Sequence, residues 1–487
     1  MIIVSITGPS QAQALRQMTL SRRYASLFEL RLDLIADAVP EALISAAKRP
    51  VVATCRPVWE GGVFSGSEQD RFAILSRAVR CGASYVDIEL AVGARAIRAF
   101  AAAHHGIRII VSRHYFSEGT PDPRREYNAL RSVNSAVMKL AYRAADGGDI
   151  GPAMRFLQLA RRDRRHAIAV AMGEAGEASR VLYRVFGGWA TFAAPEGGVP
   201  AADGQLSARM MHDLFRAHRL NRATKIFGVI GHPVRYSKGI HLHNPLFQRA
   251  GRNAVYCRFD VERLASFMQN VFPALSGVSV TQPHKLSIMD HVDRVDDRAR
   301  RIGAVNTVFR RGGRLVAENT DAAGALDAIE RKMRVKGKTF LVLGAGGAAR
   351  AIIVEALQRE ATVFVANRTR VRADELARAT GCQAVDIGQV ASVDIVANAT
   401  SVGMAPRAEE SPLTKGAVRM KLAFDAVYQP ADTRFLKEAR ALGAMTVSGA
   451  EMYLNQAAAQ SRRYTGVAPD RRMMRRLLVE ALDAAEI

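Results

Sequence analysis

Only two lysines occur in the first 221 residues, Lys48 and Lys139, and only one is placed where an amine could react. Lys48 sits beside Arg49 and Pro50 in an ordinary turn between a helix and a strand. Lys139 instead lies inside the apolar run Val137-Met138-Lys139-Leu140-Ala141. Burial and nearby arginine charge both favour the neutral amine, moving its pKa from about 10.4 toward the working pH. A neutral amine can attack a ketone, so the position suits Schiff-base chemistry, with His114 as proton carrier. The competing reading is a lysine paired with Asp33 or Glu29 to balance an interior charge. Other polar residues recur inside or just after apolar runs: Glu29, Arg31 and Asp33, then Arg56, Glu60-Gly61-Gly62 and Arg180.

The elements that would carry these residues alternate short apolar runs with amphipathic stretches, the rhythm of a parallel α/β sheet. The runs are Ile2 to Thr7, Ser26 to Asp33, Val51 to Arg56, Tyr85 to Leu90, Ile107 to His114, Ala136 to Tyr142, His166 to Gly173 and Ala190 to Ala194. Eight such units predict a (β/α)8 barrel with its site at the C-terminal strand ends, the alternative being an open doubly wound sheet. Glu29, Arg31 and Asp33 alternate, so they share one face of their strand.

The strings Glu29-Leu30-Arg31-Leu32-Asp33, Arg56-Pro57-Val58-Trp59-Glu60-Gly61-Gly62, Ser112-Arg113-His114, Val137-Met138-Lys139-Leu140 and Ser179-Arg180-Val181 resemble type I 3-dehydroquinate dehydratase, in order and over the whole first half. The resemblance implies an imine between Lys139 and the C3 ketone of 3-dehydroquinate, with His114 moving the C2 proton and Glu60 orienting the histidine. It also implies that Arg180 grips the substrate carboxylate, while Ser5, Glu29, Arg31, Arg56 and Gln205 hold hydroxyls and the local charge balance. One departure is visible. The late loop reads Ala201-Ala202-Asp203-Gly204-Gln205, with alanine where the family has serine and an added carboxylate, which leaves open a barrel of weakened activity.

After Leu220-Asn221-Arg222-Ala223-Thr224 the rhythm restarts at Ile226-Phe227-Gly228-Val229-Ile230. Further on, the apolar run Thr339 to Leu343 leads into Gly344-Ala345-Gly346-Gly347-Ala348-Ala349 and a helical stretch. This is the Rossmann phosphate turn, in which small residues let a pyrophosphate approach a helix N-terminus. The next strand, Val363 to Ala366, ends in Asn367-Arg368-Thr369-Arg370, where an NAD enzyme would carry Asp or Glu for the ribose. Arginine there suits a 2′-phosphate, so NADP is the expected cofactor.

Around this turn lie Gly231-His232-Pro233-Val234-Arg235-Tyr236-Ser237-Lys238-Gly239, Val280-Thr281-Gln282-Pro283-His284-Lys285, Gly303-Ala304-Val305-Asn306-Thr307, Asn319-Thr320-Asp321, Asn398-Ala399-Thr400-Ser401, Asp425-Ala426-Val427-Tyr428 and Gly449-Ala450-Glu451-Met452-Tyr453-Leu454-Asn455-Gln456. Together they resemble shikimate dehydrogenase over the entire second half. The resemblance implies Lys285 and Asp321 as the acid-base pair, with Ser237, Thr281, Asn306, Tyr428 and Gln456 around the substrate and Thr400 and Gly449 beside the cofactor. Gly239 replaces the second serine of the family's Ser-x-Ser-Pro, which implies relaxed shikimate selectivity and some quinate oxidation.

The expected layout is therefore a barrel over 1–221, a substrate lobe over 225–330 completed by helices in 448–487, and a Rossmann lobe over 331–447. With 487 residues, two to four domains are anticipated. The net charge of +23 first suggests a nucleic-acid or membrane partner. Its distribution argues otherwise: 58 of the 69 basic residues are arginine, and the excess is +9 in residues 1–221 and +14 in the remainder, so no tail concentrates it. Aromatics are 7% and lack the interleaving of a stacking platform. The four cysteines form no CxxC pair, so neither a metal site nor a disulfide framework is expected. A cytoplasmic monomer or homodimer acting on small anionic substrates is the reading, with no nucleic-acid or membrane partner.

Overall fold

The computed structural model describes residues 1–117 and 119–483, and counts and absences refer to those residues. The chain divides into two compact units, Met1–Ile240 with Asn253–Leu275, and His241–Arg252 with the chain from Ser276 onward. None of the described helices is long and apolar enough to cross a membrane.

In the first unit, eight parallel strands follow one another: β1 (Ile2–Ile6), β2 (Leu27–Arg31), β3 (Val51–Thr54), β4 (Tyr85–Glu89), β5 (Arg108–Tyr115), β6 (Val137–Arg143), β7 (Ala167–Met172) and β8 (Thr191–Ala193). Their order is β7-β6-β5-β4-β3-β2-β1-β8. Trp189 N–H donates to Ala167 O at 2.8 Å and brings the ends of the sheet together, giving a nearly closed barrel and not the open alternative. Each strand lies on the run that anticipated it. Three details differ: β5 continues past His114 to Tyr115, β6 continues past Tyr142 to Arg143, and Arg180 belongs to the helix Glu177–Leu182.

The interior of the barrel is layered by the two-residue period of its strands. Ile3, Leu27, Val52, Tyr85, Ile110, Val137 and Ile168 belong to one buried apolar cluster. Two residues further along six of the same strands stand Ser5, Glu29, Thr54, Asp87, Ser112 and Lys139, all buried. Both faces of parallel strands are covered, so the strands read as apolar runs, and these polar intrusions mark the site layer.

The first unit also holds β9 (Lys225–Gly231) and β10 (Ala254–Asp260), paired in parallel. In the second unit, β11 (Gly277–Val280) and β14 (Arg314–Glu318) flank β13 (Thr307–Arg311) antiparallel, and β12 (Arg294–Val295) runs parallel to β14. The remaining strands are β15 (Thr339–Leu343), β16 (Thr362–Ala366), β17 (Gln383–Ala384), β18 (Ser392–Asn398), β19 (Arg419–Asp425) and β20 (Met445–Val447). They form a parallel sheet in the order β17-β16-β15-β18-β19-β20. The order reverses at β15, which opens a crevice beyond its carboxyl end, where α/β sheets of this topology bind ligands. The helix Gly449–Thr465 then returns to the antiparallel strands: Ser279 Oγ donates to Gln460 Oε1 at 2.9 Å, and Gln460 Nε2 donates to Thr307 Oγ1 at 3.1 Å.

Candidate active sites

The site layer of the barrel is a connected charge network. Lys139 Nζ donates to Asp87 Oδ2 at 2.8 Å, and Arg56 reaches the same oxygen at 3.0 Å. Arg56 also pairs with Glu89, whose other oxygen is held by the fully buried Arg71 at 2.6 Å. Ser112 Oγ donates to Asp87 Oδ1 at 2.6 Å. Glu29 accepts from Ser5 at 2.6 Å and Thr54 at 3.0 Å, and Arg31 forms a two-pronged pair with Asp33. Buried charges are tolerated only when each is paired and hydrogen-bonded, and this network meets that condition. Burial opposes ionisation of Asp87, but the charges of Arg56 and Lys139 outweigh it and hold its pKa far below the carboxylate range. Lys139 also lies 4.3 Å from the centre of the Phe192 ring. Its counter-ion is thus Asp87, neither Asp33 nor Glu29, both of which are engaged elsewhere.

His114, one strand pair from Lys139, lines the same cavity as Lys139, Arg180 and Gln205. Its Nδ1 lies 2.6 Å from Glu60 Oε2, and its backbone N–H donates to the same oxygen at 2.9 Å. That bond assigns the proton to Nδ1 and leaves the Nε2 lone pair for chemistry. Burial, reinforced by Arg56 and Lys139, holds the imidazole pKa well below 6.5, so the ring is a neutral base. Burial pushes Glu60 up to about 7 against the pull of Arg56. Arg180 is buried, donates one terminal N–H to the carbonyl of Asp203 at 3.0 Å, and has no partner for Nε. Burial lowers its pKa to about 10, so it remains a cation, and no carboxylate among the described residues forms an ion pair with it. A buried guanidinium left in that state is an anion receptor.

In the second unit, Lys285 Nζ contacts Asp321 Oδ2 at 2.5 Å, both side chains being largely buried. Asp321 opens the helix Asp321–Glu330; Val305 N–H donates to Lys285 O at 2.8 Å, and Asn319 Nδ2, two residues before the helix, donates to Ala304 O at 2.9 Å, so turn and helix are tied through the Ala304–Val305 segment. Asn306 is committed to this frame: Oδ1 accepts from Thr320 N–H at 2.8 Å and from Thr307 Oγ1 at 2.9 Å. Thr281 is half-buried ahead of Lys285, Gln456 half-buried on Gly449–Thr465, and the Tyr428 ring lies 4.9 Å from that of Tyr453. Ser237 belongs to the first unit, in a turn where its backbone N–H donates to Val234 O at 3.0 Å.

The residues after β15 fit a dinucleotide phosphate. Gly344 has φ +110°, and a Cβ there would lie 3.0 Å from Ala399 O and from the Thr400 methyl. A Cβ on Gly346 would meet nothing within 4 Å, and the helix Gly347–Gln358 begins without a side-chain cap, leaving its N–H groups for an anion. Ala345 and Ala348 are half-buried beside it. After β16, Asn367 Nδ2 donates to the carbonyl of Thr369 at 2.9 Å. Arg368 is exposed with no ion pair among the described residues, whereas Arg370 is held by Asp374 and Asp386, each at 2.9 Å. Gly449 plays a packing part: its Cβ would lie 2.5 Å from the carbonyl oxygens of Ala426 and Val427.

Three family models match the chain: type I 3-dehydroquinase over residues 2–222, the shikimate dehydrogenase substrate binding domain over 229–308, and shikimate / quinate 5-dehydrogenase over 327–425. A bifunctional 3-dehydroquinate dehydratase/shikimate dehydrogenase, chloroplastic, of Arabidopsis thaliana is 36% identical, covering 95% of this chain and 82% of that protein. The chain belongs to this bifunctional family. An NADP(+) shikimate dehydrogenase of Geobacillus kaustophilus is 40% identical over 53% of this chain and 99% of its own. The crystal structure of shikimate 5-dehydrogenase from Thermus thermophilus in complex with NADP(H) and shikimate is 37% identical, covering 53% of this chain and 100% of that one, with a TM-score of 0.50.

Within the family frame, a weakened barrel is not supported. The dehydratase half is matched throughout, and its lysine, histidine, glutamate and arginine line one cavity. Ala201 lines that cavity without a hydroxyl, but its N–H donates to Gln205 Oε1 at 2.8 Å and so positions the glutamine. At Gly239 the missing side chain has a steric reason. A Cβ would lie 2.8 Å from the ring of the buried Tyr256, so the space of the family's second serine is taken by that ring. Sequence reasoning missed Thr54, Arg71, Asp87, Glu89 and Ser112. For the strand residues a signal was present: Thr54 stands two residues before Arg56, Ser112 two before His114, and Asp87 and Glu89 alternate with each other, the same two-residue period as Glu29, Arg31 and Asp33. Arg71 lies on the helix Glu68–Arg80, and no pattern in the sequence distinguishes it from the chain's many surface arginines.

Proposed function

We propose that the barrel dehydrates 3-dehydroquinate to 3-dehydroshikimate and that the second half reduces this product to shikimate with NADPH. The observation that carries the reading is the pairing, in one chain, of a cavity lysine set beside a neutral histidine with a separate Lys285–Asp321 acid-base pair. In the barrel, Lys139 gives up a proton and its neutral amine adds to the C3 ketone while Asp87 holds Nζ in place; the carbinolamine takes that proton back on the former ketone oxygen, which leaves as water. The resulting iminium withdraws electrons from C2, and His114 Nε2 removes the C2 proton. The imidazolium, stabilised through Nδ1 by Glu60, returns a proton to the departing hydroxyl. Arg180 takes the carboxylate, and water releases the product from Lys139.

In the second half, Lys285 and Asp321 fix each other's charge and hold the proton exchanged with the reacting oxygen. Bound NADPH supplies the hydride. The backbone N–H groups at Gly346 and Gly347 hold its pyrophosphate, and Arg368 its 2′-phosphate. Asn306 steadies the start of the Asp321 helix, and Ser237 and Thr281 receive the carboxylate side of the substrate. The domain limits assigned to these activities are 1–221, 225–330 with 448–487, and 331–447. Cytoplasmic location and a monomeric or homodimeric state complete the proposal. The test is a coupled assay: 3-dehydroquinate and NADPH should yield shikimate, and failure to consume NADPH while added 3-dehydroshikimate is reduced would remove the barrel activity.

Two further results are expected. Because Glu60 is raised to about 7 by burial while His114 stays neutral, kcat/KM for dehydration should fall as pH drops through about 7, where Glu60 takes up a proton. Glu60→Gln should lower kcat about 10- to 100-fold and shift that acid limb to lower pH. An unchanged limb in the variant would assign it to another group. For the cofactor, Arg368→Ala should raise KM for NADPH about tenfold with little effect on NADH. Arg370→Ala should change KM by about twofold or less, since its charge is already neutralised by two carboxylates.

A further inference from the structure

Arg258 on β10 commits its guanidinium to two loops at once. Nε and one terminal nitrogen donate to the carboxylate of Glu177 at 3.2 and 2.7 Å, and the other terminal nitrogen donates to the carbonyl of Arg235 at 2.7 Å. The Arg258 and Glu177 side chains are 19% and 14% exposed, so the pair is shielded from much of the solvent screening that weakens surface pairs. Glu177 opens the short helix that carries Arg180. Arg235 lies within the Val234–Ser237 turn, two residues before Ser237. One planar fork thus fastens the helix of the barrel's anion receptor to the turn of the dehydrogenase serine.

The barrel side of this link has little slack. A Cβ on Gly176 would lie 2.1 Å from Ala171 O, and one on Gly204 would lie 2.2 Å from Gly173 O. The segment entering Glu177 is therefore in close backbone contact with β7 and with the loop whose Asp203 carbonyl takes Arg180. Such close-packed segments shift together, so a displacement at Glu177 reaches the guanidinium of Arg180.

We propose that Arg258 is a positioning residue shared by both sites, holding Arg180 and Ser237 in register so that a change on either side alters carboxylate binding on the other. The inference rests on the two-site reading above. Its test measures both half-reactions separately in the full-length chain. Glu177→Gln, a change in the barrel, should raise KM for shikimate about fivefold in the NADP-dependent oxidation with kcat unchanged. Arg258→Gln should likewise raise KM for 3-dehydroquinate, and the double variant should be no worse than Arg258→Gln alone, since Arg258→Gln already removes the pair that Glu177→Gln breaks. Arg263→Ala, which loses an exposed pair with Asp149 at 3.1 Å on the same border, should leave both KM values unchanged. A link that only supports the fold would lower the melting temperature of Glu177→Gln and leave its shikimate KM at the wild-type value, which would overturn the proposal. Should Arg258→Gln fail to fold, Glu177→Gln alone decides. Absence of either activity in the wild-type chain would instead remove the two-site reading, so the two failures are distinguishable.

Discussion

Lys139→Ala is expected to cost the dehydration of 3-dehydroquinate at least about 10³-fold in kcat, because without the amine no iminium forms to acidify the neighbouring C–H. Reduction of 3-dehydroshikimate by the same variant should stay near the wild-type rate. The substitution leaves Asp87 buried, but not alone: Arg56 remains 3.0 Å from it and Ser112 donates to its other oxygen, so the fold should survive. Borohydride trapping gives a direct readout. Wild-type protein incubated with 3-dehydroquinate and reductant should gain mass on Lys139, and no adduct should form in Lys139→Ala. An adduct-free wild-type protein that still dehydrates its substrate would exclude the imine route.

The second large effect concerns the other half. Lys285→Ala should lower kcat for shikimate oxidation by about 10²- to 10⁴-fold, the range expected when a positioned acid-base group is lost. Asp321→Asn should fall in the same range, and the double variant should lose little more, since the two groups act as a unit at 2.5 Å. Dehydration should be unaffected in both. A loss confined to KM would show that the pair binds substrate without moving its proton. Together with Lys139→Ala, these variants form a reciprocal set in which each kills one half-reaction and spares the other.

The charge of the protein takes a different meaning beside these sites. Arg56 and Arg71 neutralise interior carboxylates, and Arg258 bonds both Glu177 and the carbonyl of Arg235, whereas Arg180 and Arg368 form no ion pair among the described residues and are the ones proposed to receive a substrate carboxylate and a cofactor phosphate. Arg56, Arg71 and Arg258 each reach two partners through the planar fork of arginine, which a lysine could not reproduce. The two without a carboxylate partner among the described residues, Arg180 and Arg368, account for part of the positive excess.

Much of this was legible in the residues themselves. Apolar runs at regular spacing are enough to place barrel strands, because both faces of a parallel strand must be apolar wherever it does not carry chemistry. A lone lysine in such a run, or glycines between a strand and a helix, announces a site for the same reason: burial and open backbone are costly unless used. Partner choice is another matter. Lys139 pairs with Asp87, not with Asp33 or Glu29, because closure and stagger of the barrel decide which strands' side chains meet inside it, and one strand's period carries no record of its neighbours. Arg370 is occupied by Asp374 and by Asp386, the second folding back from further along the chain, while Arg368 has no ion pair among the described residues. Gly239 is required by the ring of Tyr256 on β10. Residue order and periodicity set which elements form and which residue types they present. The tertiary structure decided which charges neutralise one another and which are left for ligands, because ion pairing depends on distances across elements that local pattern does not encode.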